Sequence, residues 1–189
     1  MEQNSQHSKI KILEGQIREC YGRVVYSHKT HEKCSDILLS KHSNIKIWQI
    51  ILSALATGGI ISILFGSGNV GVVLSGLLST ALLIINSYTK DYDLGEIAQK
   101  HKQAANELWL IREQYLSLLT DLKIDAKDIS LIQKERDQLL DKLGTVYEGA
   151  PSTLPKAYLK AQEALKKLED MTFSDSEIDA FLPDELKRG

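Results

Sequence analysis

Three side chains with metal-binding chemistry recur at intervals of three near the start of the chain: His28, His31 and Cys34. Imidazole and thiolate are ordinary zinc ligands, but a tetrahedral site needs four of them. No second Cys/His cluster completes the set, and His101 is the one candidate for a fourth ligand. His31 and Cys34 also fall on the apolar seam of their helix, so the group reads as core and no metal or other cofactor is expected. A second possible chemical motif, Gly66-Ser67-Gly68-Asn69-Val70-Gly71, lies between two apolar runs rather than between a strand and a helix. That context rules out a phosphate cradle. No catalytic residue is assigned, and the chain is not expected to be an enzyme. Residues 1–46 carry eight Lys/Arg against five Asp/Glu, and residues 90–189 carry fifteen against twenty, so +3 and −5 give the net charge of −2. With no basic block, direct nucleic-acid binding is not expected.

The informative polar residues lie where charge is missing. Between Lys46 and Lys90 no residue is charged, and two apolar runs of 19 residues, Ile47 to Phe65 and Val70 to Tyr88, flank the Gly66–Asn69 turn. As a helix, each run spans roughly the 30 Å hydrocarbon layer. A buried hairpin in a soluble bundle would keep a polar stripe and shorter helices, whereas these are apolar nearly all round. The fold class is therefore an all-α membrane protein built on a two-span helical hairpin. Gln49, Ser53 and Thr57 recur every four residues on the first span; Ser75, Ser79 and Asn86 nearly do so on the second. Gln49 and Asn86 are equidistant from the turn and should meet at one depth. Ala54, Gly58 and Ser62, with Gly71, Ser75 and Ser79, form small-residue faces that allow close helix approach. The polar stripe either bonds helix to helix or lines an aqueous path. Helix bonding is the favoured reading, and since one hairpin cannot enclose water, conduction would require a homo-oligomer.

These spans need flanking elements. Ile10, Leu13, Ile17, Cys20, Val24, Ser27, His31, Cys34 and Leu38 follow a heptad seam, as do Leu94, Ile97, His101, Ala104, Leu108, Ile111, Tyr115, Leu118 and Leu122. The expected organisation is an N-terminal helix over 1–45, spans over 46–66 and 70–89, a return helix over 90–123 continuous with the second span, and a helical region over 128–189. Within that last region Asp128 is the expected N-cap of one helix and Ser152 or Thr153 of the next, and Ser174 and Glu177 have capping-box spacing. Phe173, Phe181 and Leu182 mark the tail as a docking segment.

Lys41, Lys46 and Lys90 flank the spans while the turn is uncharged, so both termini are expected in the cytoplasm of a cell membrane, with Trp48 and Tyr88 at the headgroup layer. No early apolar run suggests a signal peptide. Cys20 and Cys34 then lie in a reducing compartment as free thiols.

Several motifs occur in a specific order: Leu94-Gly95-Glu96, His101, Ala104-Ala105, Glu107-Leu108-Trp109, Ile111-Arg112-Glu113-Gln114-Tyr115 and Leu118-Leu119-Thr120-Asp121, then Ala150-Pro151, Lys156-Ala157-Tyr158, Ala161-Gln162, Met171-Thr172-Phe173-Ser174-Asp175, Glu177-Ile178-Asp179 and Leu182-Pro183. With the paired spans ahead of them, they resemble the SLATT family of bacterial conflict-system proteins, in a subgroup associated with reverse transcriptases. The resemblance implies a two-span effector of the bacterial inner membrane. It would be encoded beside a nucleotide synthase, a nucleotide sensor or a reverse transcriptase, and would permeabilise the membrane to abort phage infection. It also implies that His101, Trp109, Arg112, Glu113, Tyr115 and Asp121 are packing or coupling residues. The alternative is a non-conducting anchor or inhibitory adaptor for a cytoplasmic partner such as a reverse transcriptase.

Overall fold

The computed structural model describes residues 2–64, 69–183 and 187–188, with the side chains of 8–61, 70–183 and 187–188. The turn over 66–68 and the Ser62 side chain lie outside the described residues. Among these residues six helices follow in order: α1 (Glu2–Leu64), α2 (Asn69–Asp91), α3 (Leu94–Lys123), α4 (Ile129–Gly149), α5 (Pro155–Lys167) and α6 (Asp175–Asp179). Among the described residues there is no strand.

The chain divides into two units. The first comprises Met1–Lys33 and Ala104–Gly189, and the second Cys34–Gln103, so α1 and α3 each contribute to both. In the first unit the heptad seams supply the core. Leu13, Ile17, Cys20 and Val24 of α1 pack with Ala104, Leu108, Ile111, Tyr115 and Leu118 of α3, and α4 adds Ile132, Leu139 and Val146. The three α4 residues recur every seven positions, which places them on one face of the helix. The buried face of α5 is Ala157, Ala161 and Ala164, whose small side chains permit close approach.

Three sequence expectations change in the structure. The second span and the return helix do not run on as one rod, because helical structure stops at Asp91 and resumes at Leu94. There the Asp93 carboxylate accepts the Glu96 backbone N–H at 2.9 Å, which caps a new helix start. Helix α5 begins at Pro155 rather than after Ser152 or Thr153: Leu154 is its N-cap and proline its first residue. Proline fits there because its φ is preset and its missing N–H would have had no partner within the helix. Asp128 does precede α4, but its side chain makes no capping bond. The capping box at Ser174 and Glu177 is formed in both directions.

Candidate functional site

The second unit contains the paired spans. Among the described residues, two helices are long and apolar enough to cross a membrane, and only 6% of each apolar window is buried. Ile50, Leu55, Ile60, Val70, Val73 and Leu77 are among the large apolar side chains left exposed. A soluble core helix would hide these residues, so a lipid solvent is the consistent environment.

Across the hairpin, the Gln49 amide donates to Asn86 Oδ1 at 2.8 Å and reaches Thr89 Oγ1 at 3.4 Å. Further along, an added Cβ at Gly59 would collide with Ser75 Oγ and stand 3.7 Å from the Gly71 carbonyl oxygen. Ala56 and Ser75 are buried, and the Ser75 hydroxyl has no hydrogen-bond partner. The packing face of α1 therefore runs through Gln49, Ala56 and Gly59, not through Ala54 and Gly58. Ala54 is exposed, and a Cβ at Gly58 would meet nothing within 4 Å. The reason is helical phase: one residue turns the face by about 100°, so Gly58 and Gly59 point in different directions. Ser53, Thr57 and Ser79 are likewise exposed, and Thr57 Oγ1 donates to its own helix at Ser53 O, 2.9 Å away.

At the end of this unit, Tyr92 stacks on Tyr88 with ring centroids 5.2 Å apart. Asp93 is held below the ordinary carboxylate range, chiefly by the Glu96 N–H, with further help from Gly95, His42 and Lys46. Leu38, Leu94 and Ala98 form a small core here. Cys34 and His101 are both buried, and burial pushes the His101 imidazole below its usual value.

In the first unit, His28 and His31 are buried and Cys20 is a buried free thiol. His28 Nδ1 lies 2.8 Å from the Ala105 carbonyl oxygen, so that nitrogen carries the proton and donates. Its Nε2 faces Glu32 Oε2 at 3.7 Å. Burial lowers His28, against the opposing pull of Ala105 and Glu32. Among the described residues no group of three or more His, Cys, Asp or Glu converges as a metal site.

The family-motif residues behave differently from one another. Tyr115 is fully buried, and burial pushes its hydroxyl well above the usual range. Arg112 pairs with its neighbour Glu113 through Nε at 2.8 Å. Asp121 holds Lys127 at 3.0 Å, and Lys127 also binds Glu135 at 2.8 Å, which ties α3 to the start of α4. Trp109 departs from the packing role, since it is 48% exposed on α3, and Phe173 and Phe181 of the tail are 67% and 83% exposed. The tail's aromatic residues therefore lie open, while Leu182 beside Phe181 is half-buried.

Sequence reasoning missed Gly59, Thr89, Asp93 and an ion pair between Lys29 and Asp170 at 3.0 Å. Asp93 could have been found, because an aspartate three residues before a glutamate is a helix-start pattern. A pair 141 positions apart leaves no local signal.

No curated protein and no solved structure matches the chain. The family model of the SMODS and SLOG-associating 2TM effector domain, family 4, matches residues 13–177, which takes in both spans, α1 from Leu13 onward, α2 to α5 and the start of α6. The match extends over far more than half of the 189 residues, so this membrane protein belongs to the SMODS and SLOG-associating 2TM effector (SLATT) family.

Proposed function

We propose that the chain is a non-enzymatic effector of a bacterial antiphage system that oligomerises in the inner membrane, with both termini cytoplasmic, and permeabilises it when a partner signals infection. The observation that carries this reading is the outward placement of Ser53, Thr57 and Ser79 on the spans. Facing hydrocarbon, such a hydroxyl can bond only its own helix, as Thr57 does at Ser53 O, whereas the same groups turned toward further copies can bond them or line water. The partner we propose is a reverse transcriptase, or a nucleotide synthase or sensor, acting on the helical unit.

The test is dye or ion release from liposomes containing the purified protein and its partner. Release is expected on triggering. Ser53→Leu and Thr57→Leu should abolish it without disturbing insertion, because neither side chain takes part in the Gln49–Asn86 bond. Sealed liposomes under triggering would overturn permeabilisation. A second reading, a non-conducting anchor, is favoured by the exposed Phe173 and Phe181; stable co-purification of the partner without any release would select it.

A further inference from the structure

Lys29 is nearly buried, with 12% of its side chain exposed, and holds two carboxylates: Glu32 Oε2 at 3.2 Å on its own helix and Asp170 Oδ2 at 3.0 Å in the segment after α5. Burial disfavours the ammonium, but the two carboxylates outweigh it and raise Lys29 above its ordinary value. Glu32 makes this pair releasable. If Asp170 leaves, the cation keeps a partner one helical turn away, so α1 is not left with an orphaned buried charge. Asp170 itself is 42% exposed, within reach of an incoming cation.

The backbone around Asp170 is also arranged for release. Glu169 and Met171 on either side have φ of 52° and 74°, a left-handed conformation that side chains other than glycine adopt at a cost. Glu169 occupies the position just past a helix end that glycine usually takes. Asp170 N–H is tied to the Ala164 carbonyl at 3.0 Å and Thr172 N–H to Glu169 at 3.1 Å, but beyond that the tail presents Phe173, Ile178 and Phe181 outward. Its α6 turn is held by its own capping box rather than by the bundle.

We infer that the Lys29–Asp170 ion pair is a latch fixing the C-terminal segment, residues 169–183, to α1, and that a cationic side chain of a partner opens it by taking Asp170. The latch does not depend on membrane permeabilisation, and its test reads the tail alone. Amide hydrogen exchange is followed in the full-length protein in detergent for wild type, Lys29→Met, Asp170→Asn and the double variant. Each single variant should speed exchange at Asp170 and Thr172 about tenfold, the scale of one charge-assisted hydrogen bond. The double variant should add little to either, and the amides of α4 near Ile132 and Leu139 should stay protected. Unchanged tail exchange in both single variants would overturn the latch. So would single effects that multiply in the double variant, since the two side chains would then act independently. Loss of α4 protection would also overturn it, by showing that the pair holds the bundle rather than the tail.

Discussion

The two units use the same helices in opposite ways. In the first, apolar side chains face inward: Ile17, Leu108, Tyr115 and Ile132 are all at or near zero exposure. In the spans of the second, most large apolar side chains face outward, and the buried residues between them are small, Ala56 and Ser75, beside Gly59 and the Gln49–Asn86 hydrogen bond. Water drives the first arrangement, because burying apolar area there is favourable. Lipid removes that drive, so helix contact in the second must come from close packing and hydrogen bonds. Helix α1 passes from one regime to the other without a break.

The same leucine-to-alanine substitution should have very different consequences in the two units. Leu108→Ala removes a fully buried side chain and should destabilise the protein by about 2–5 kcal/mol. Leu77→Ala removes one that is 64% exposed, and should change unfolding free energy in detergent by less than about 0.5 kcal/mol. Equal losses would mean that the outward face of the spans is packed against something other than lipid or detergent.

Adjacent glycines sharpen the account of the membrane unit. Gly59→Ala is tolerable if the Ser75 hydroxyl rotates, since its Cβ then stands at ordinary contact distance, 3.4 Å from Ser75 Cβ and 3.7 Å from the Gly71 carbonyl oxygen, whereas Gly59→Val adds two methyl groups beyond that contact. Overpacking of this kind costs about 1–3 kcal/mol. Gly58→Val has open space and should be nearly silent in the same unfolding assay in micelles. If Gly58→Val were the damaging one, the close face would lie where the spacing of Ala54, Gly58 and Ser62 suggested.

That pair of glycines also shows what could be read from sequence. The apolar runs and heptad seams were legible because they depend on period and length, which hydrophobic burial and bilayer thickness impose directly. The Gln49–Asn86 match was legible because a tight hairpin pairs positions equidistant from its turn. The packing phase of the spans was not, since Ala54, Ala56, Gly58 and Gly59 offer small residues on more than one face. The break at Tyr92–Asp93 was hidden for a different reason: a single side-chain cap interrupts the helix while the apolar rhythm of Leu94 and Ile97 continues unchanged. Tertiary ion pairs such as Lys29–Asp170 leave no periodic trace at all.

The smallest expected effect concerns the two buried imidazoles, one in each unit. His28 and His101 are both pushed below the ordinary value of 6.5, in each case foremost by burial. The unfolded chain therefore binds these protons more tightly than the folded one, so stability rises with pH across the interval between the lowered values and 6.5. Their contribution is complete above 6.5 and is lost as pH falls through the folded-state values. At His28, Ala105 and Glu32 favour the charged form while Arg112 and Lys29 oppose it. Unfolding free energies measured on either side of that interval should fall on acidification, and His28→Gln or His101→Gln should each flatten the slope. The His101 variant should flatten it without touching the core of the first unit, since His101 belongs to the second. An unchanged slope in both variants would assign the acid sensitivity to carboxylates instead.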